Sequence, residues 1–286
     1  MDEPNEIAAD EGFIGTYNQP VNQSNPTPDD PPWNAPIAVL AWFASVVLIA
    51  LIPILVLLPY ILSRGPALGE TQALGEFLQK DPTSILLQII AIIPAHIVTL
   101  ALSWIIVTKL NTFSFRETLG WKSGGMRWPH YAAILVIFFG VALIVGNYFP
   151  EQENELTRIL RSSRWAVFLV AFMATFTAPM VEEVIYRGIL YSAFQRTFGV
   201  VAGVVVVTLL FALVHVPQYY PSYSTIFLLL LLSLILTLVR ARTGNLLPCI
   251  VLHTIFNGLQ SILLILEPYL KSEAPVIDPT MGFFFK

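Results

Sequence analysis

Residues 165–187 read WAVFLVAFMATFTAPMVEEVIYR. From Trp165 to Val181 there is no charged side chain, and then Glu182, Glu183 and Arg187 fall within six positions. An uncharged run of this length is the signature of a helix buried in apolar surroundings. On that helix Glu183 and Arg187 stand four residues apart on one face, with the acid on the N-terminal side, the favoured order for an ion pair. Glu182 points about 100° away from Glu183.

The rest of the chain repeats the apolar theme. Of 286 residues, 56% are hydrophobic and only 12% are Asp, Glu, Lys or Arg, and the mean hydropathy is +0.71. Soluble domains carry roughly 25% charged residues, so this chain has too few charges to cover a water-facing surface. A spanning helix needs about 20 apolar residues. Segments 37–62, 84–107, 131–149, 165–182, 199–216, 225–239 and 247–266 meet or approach that length. The fold class predicted is all-α: a polytopic bundle of about seven or eight transmembrane helices enclosing a polar intramembrane cavity. Four regions follow: an acidic, Pro-rich disordered tail over 1–36, N-terminal transmembrane helices over 37–164, core helices over 165–270, and a short tail over 271–286. Residues 1–36 contain seven acids and no Lys or Arg, unlike a secretory signal.

Composition also excludes several functions. A net charge of −4 argues against a nucleic-acid partner. The lone Cys249 permits no internal disulfide and reads as a small buried hydrophobe. Gly199 and Gly203 form a small-xxx-small pair suited to close helix packing. Arg240 and Arg242 follow helix 225–239, whereas 216–224 holds no basic residue. The positive-inside rule therefore places 240–246 in the cytoplasm.

An ionisable residue inside a spanning helix costs roughly 2.5–3.5 kcal/mol on insertion scales. The chain accepts that cost at three places in its C-terminal half. Glu182-Glu183-xxx-Arg187 divides into an ion pair and a free carboxylate, with Arg187 neutralising Glu183 and Glu182 left as a base; a pair of interfacial surface charges is the bland alternative. Phe211-xxx-His215 shares a face, and a histidine at a helix end is more often interfacial than chemical. His253-xxx-Asn257 also shares a face, and an interhelical hydrogen bond would explain it. Of the other two histidines, His96 reads as a packing or interhelical hydrogen-bonding group and His130 as interfacial.

In that order on three apolar helices, the three motifs resemble the signatures of the CPBP family, also called Abi. It comprises type II CAAX-prenyl endopeptidases and bacteriocin-processing or immunity proteins. The resemblance covers about 165–266, and all seven motif positions match. It implies an intramembrane peptide hydrolase acting on a membrane-associated or prenylated protein. Glu182 would activate water with His215, Glu183 and Arg187 would support the site, and His253 and Asn257 would stabilise the oxyanion. A positioned base and donors aimed at developing charge are what amide hydrolysis requires. No cofactor is favoured. If a metal is used, His215, His253 and Glu182 would form a His₂Glu zinc set.

The partners expected are the lipid bilayer and a membrane-associated peptide or protein, in a multi-pass protein of the plasma (inner) membrane. Two other classes compete. A non-catalytic immunity or scaffold protein would have no evident need for buried histidines beside a carboxylate pair. A transporter would spread ionisable groups along several helices, whereas here they gather in one patch. One geometric difficulty stands: if 199–216 crosses fully, His215 and His253 approach opposite faces unless some helices are short or 217–224 dips inward.

Overall fold

The computed structural model describes residues 25–270, and all its regular structure is helical apart from one isolated bridge between Thr27 and Asp30. In chain order the helices are α1 (Ala35–Arg64), α2 (Thr71–Lys80), α3 (Pro82–Thr108), α4 (Phe115–Leu119), α5 (Trp128–Tyr148), α6 (Glu155–Ser162), α7 (Arg164–Phe198), α8 (Val200–Tyr219), α9 (Tyr223–Thr243) and α10 (Leu247–Leu270). Among the described residues, seven helices are long and apolar enough to cross a membrane: α1, α3, α5, α7, α8, α9 and α10. Large apolar side chains such as Leu40, Ile97, Val136, Leu143, Val201 and Leu213 face outward. That surface is stable only where lipid replaces water. The protein is thus an integral, multi-pass helical bundle.

Local chemistry sets the helix ends. Asn34 Oδ1 accepts from Ile37 N–H at 3.1 Å and starts α1; Asp81 and Ser163 cap α3 and α7 in the same way. Each side chain satisfies a backbone donor that has no partner inside its helix. Helix α3 is interrupted at Ala91, where Pro94 has no N–H to offer the Ile90 carbonyl. Gly244, at φ +61°, supplies the left-handed residue that ends α9.

Helix α7 departs most from expectation. It does not end at Glu182 but runs unbroken for 35 residues, because Glu183 and Arg187 neutralise each other inside the bundle. Glu182 lies 16 residues before Phe198, and His215 lies 15 residues after Val200. At 1.5 Å per residue these are depths of about 24 and 22 Å. The α7–α8 hairpin therefore brings the two to one level, and His253 reaches the same carboxylate because the Arg240–Ser192 bond sets the α9–α10 turn deeper than Gly199. Helix α9 is likewise 21 residues long rather than 15, since the buried Arg240 continues it. Gly199, at φ +87°, makes the hairpin turn, so only Gly203 packs closely: a Cβ there would lie 3.2 Å from Gln195 and Tyr191.

The N-terminal region also differs from expectation. Residues 1–24 and 271–286 lie outside the described residues. Residues 28–33, expected within a disordered tail, are fastened to the bundle. Trp33 is buried and donates from Nε1 to the Ile189 carbonyl at 2.9 Å. The buried Arg240 bonds Asp29 Oδ1 at 3.0 Å, the Pro28 carbonyl at 2.6 Å and Ser192 Oγ at 3.1 Å. Arg240 is thus a structural cation rather than a loop charge, which removes it from the positive-inside count. Replacing Trp33 by Phe shrinks the buried ring and deletes its bond. A loss of at least about 1 to 2 kcal/mol, the share of the bond, is expected, read as a lower thermal midpoint of detergent-purified protein.

Candidate active site

Pro179 shapes the helix that carries the carboxylates. The Ala178 N–H bonds the Met173 carbonyl, five residues back, so 173–177 is a π-helical turn. Pro179 has no N–H. The Ala174 carbonyl therefore receives no backbone donor from either residue that could reach it, and Asn257 Nδ2 donates to it instead at 2.8 Å. A second π-helical stretch, 184–190, closes with the Tyr191 N–H on the Tyr186 carbonyl, and all seven of its residues are buried. Such bulges re-aim side chains and are frequent at functional sites.

Between the two bulges lie Glu182 and Glu183, in unlike surroundings. Glu183 and Arg187 are both fully buried and paired at 2.8 Å through Oε1 and Nη1. The rest of the Arg187 fork is satisfied by α9: Nε donates to Thr237 Oγ1 at 3.2 Å, and Nη2 donates to the Ser233 carbonyl at 2.9 Å and its hydroxyl at 2.8 Å. The guanidinium also lies 4.7 Å from the centre of the Phe211 ring, a cation–π contact. His253 Nδ1 bonds the same Glu183 Oε1 at 2.8 Å. Glu183 thereby fixes the ring that α10 presents.

Glu182 is the carboxylate left open. Its side chain and that of His215 keep about a fifth of their surface accessible. His215 Nδ1 bonds the Phe211 carbonyl at 2.8 Å, which makes it the protonated nitrogen, since a carbonyl can only accept. Its Nε2 then faces Glu182 Oε1 at 3.9 Å, while His253 Nε2 stands 3.8 Å from Glu182 Oε2. Both separations are too long for direct hydrogen bonds and are of the size that one shared water spans. Glu182, Glu183, Arg187, His215 and His253, drawn from three helices, converge here. Asn257 stands one turn beyond His253 with its amide engaged by Ala174.

Ser233 and Thr237 escaped the motif reading. Their signal was present as two hydroxyls at i, i+4 in an otherwise apolar helix, a pattern that marks an interior polar face. Trp42 also contributes, donating from Nε1 to the Tyr186 hydroxyl at 3.1 Å behind the carboxylate turn. His96 makes the interhelical bond expected of it, to Thr177 Oγ1 at 2.9 Å. His130 accepts from the Arg127 N–H at the exposed start of α5.

The zinc set of His215, His253 and Glu182 does not close. Two ligands about 2.0–2.1 Å from a tetrahedral ion stand roughly 3.4 Å apart, against 3.9 and 3.8 Å here. Among the described residues no group of three or more His, Cys, Asp or Glu has metal-holding geometry. As arranged, these side chains stand wider than a tetrahedral zinc holds its ligands.

Comparison with known families agrees with this geometry. The family described as type II CAAX prenyl endopeptidase Rce1-like matches residues 164–259, about a third of the chain. Over that segment the chain is similar to this family of CAAX endopeptidases. Comparison with curated proteins and with solved structures returns no match. The matched segment holds every residue that converges on Glu182, as well as Ser233, Thr237 and Asn257.

The buried pair sets a clear expectation. Arg187→Met leaves Glu183 enclosed without its cation and should destabilise the protein by about 3 to 5 kcal/mol. The double variant Arg187→Met with Glu183→Gln should recover part of that loss. Thermal midpoints of the purified variants measure both.

Proposed function

We propose that this protein is an intramembrane endopeptidase that hydrolyses a peptide bond of a membrane-associated or prenylated protein with water activated by Glu182 and His215. The observation that carries the reading is the contrast between the two adjacent glutamates. Glu183 is fully buried and bonded to Arg187 and His253, while Glu182 is open and flanked by two imidazole nitrogens at 3.8 and 3.9 Å. A structural pair of acids would not need this division.

In the proposed reaction a water is held between Glu182 and His215 Nε2. As its oxygen forms a bond to the scissile carbonyl carbon, its proton passes to Glu182. Glu182 then returns that proton to the leaving nitrogen as the C–N bond breaks. In this scheme His253 enters the reaction already carrying a proton from solvent on Nε2, with its Nδ1–H held by Glu183, and keeps both protons while Nε2–H donates to the oxyanion. Asn257 has one amide proton on Ala174 and a second free to serve the same charge. Donors fixed in advance are effective because they need no reorganisation during reaction. No step requires a metal, and the 3.8–3.9 Å separations support that version.

The test uses purified protein and an internally quenched farnesylated peptide ending in a CAAX sequence. Wild type should cleave it, and Glu182→Gln should lose on the order of 10²- to 10⁴-fold in rate with an unchanged thermal midpoint. Cleavage unaffected by that substitution would favour a scaffold or immunity role. Metal analysis belongs to the same experiment: activity should persist through chelation, whereas stoichiometric zinc lost together with activity would overturn the metal-free reaction.

A further inference from the structure

His96 lies on α3, outside the segment that the family model matches, and the proposed reaction makes no use of it. Its side chain is 6% exposed, and its helix packs against 178–190 of α7. The Thr177 hydroxyl bonds both His96 Nδ1 at 2.9 Å and the Met173 carbonyl at 3.3 Å. A hydroxyl has one proton, and the carbonyl can only accept it. Thr177 therefore accepts from His96, whose Nδ1 carries the hydrogen. In the neutral ring Nε2 is then an acceptor.

No described residue donates to that nitrogen, and it is not among the fully enclosed atoms that lack a partner. It therefore keeps some accessible surface, on a ring fastened to Thr177, five residues before Glu182 on α7. An accessible acceptor about a turn and a half of helix from a hydrolytic base matches the donor that every peptide carries: a backbone N–H.

We propose that His96 Nε2 accepts a hydrogen bond from a backbone N–H of the bound peptide near the scissile bond, which makes His96 a substrate-positioning residue supplied by the N-terminal half of the chain. This inference rests on the peptidase reading above. It also accounts for an imidazole where a bond to Thr177 alone would need only a simple donor.

The experiment compares His96→Phe and Thr177→Val with wild type on the farnesylated quenched peptide. His96→Phe should raise KM about tenfold with little change in kcat, whereas Thr177→Val, which removes only the interhelical bond, should change KM far less. Peptides N-methylated in turn at the residues flanking the scissile bond complete the test. One of them should lose the same factor with wild type and nothing further with His96→Phe. Equal effects of the two substitutions, or a tenfold N-methyl penalty that persists in His96→Phe at every position, would overturn the proposal. If wild type cleaves no such peptide, the peptidase reading fails by itself. The placement of Nε2 is then read from diethyl pyrocarbonate labelling and peptide mass spectrometry. Modification at His96 is expected, and an unlabelled His96 would refute an accessible Nε2.

Discussion

The ion pair between Glu183 and Arg187 is the constraint on which the rest of the bundle depends. Two opposite charges with no exposed surface stand in the middle of a 35-residue apolar helix. Their desolvation is offset in part by the partners that the remaining polar groups find. Ser233 and Thr237 serve Arg187 from α9, His253 bonds Glu183 Oε1 from α10, and Phe211 on α8 covers the guanidinium, while Glu183 Oε2 has no partner among the described residues. Three helices are thereby tied to one turn of a fourth. In lipid, where apolar surface gives little preference for one helix partner over another, such polar ties fix register.

Function follows from the same asymmetry. Because Glu183 is consumed by structure, Glu182 on the adjacent face is free. The two histidines reach it with their outer nitrogens while their inner nitrogens are held, one by a carboxylate and one by a carbonyl. Pro179 links backbone and site in a second way. By removing one N–H it frees the Ala174 carbonyl, and Asn257 answers it. The proline, the π-helical turn and the asparagine form one solution to one missing donor, and they help hold α10 against α7.

Much of this was legible in the residues. The apolar runs located all seven long helices, since period and length suffice for that. The i, i+4 spacing predicted the Glu183–Arg187 pair, and three motifs marked the side chains that meet. What the residues hid was relative depth. Charges at 182–187 look like the end of a span, because only the tertiary partners on α9 and α10 show that the Glu183–Arg187 pair is held inside it. Residues 28–33 hid their order for the same reason. Proline and aspartate read as tail until Arg240, Gln195 and Arg196 are seen to bind them. His96 was legible as a packing or interhelical hydrogen-bonding group, but its partner Thr177, 81 residues away, was not.

The central claim is that the open carboxylate of Glu182 cuts peptide bonds in a membrane. Its most direct test is terminal-peptide mapping of the membrane proteome in cells producing wild type or Glu182→Ala at equal levels. The account predicts at least one new peptide terminus in a membrane-associated protein that appears with wild type and vanishes with the variant. Identical termini in both, with the variant folded and inserted, would contradict it.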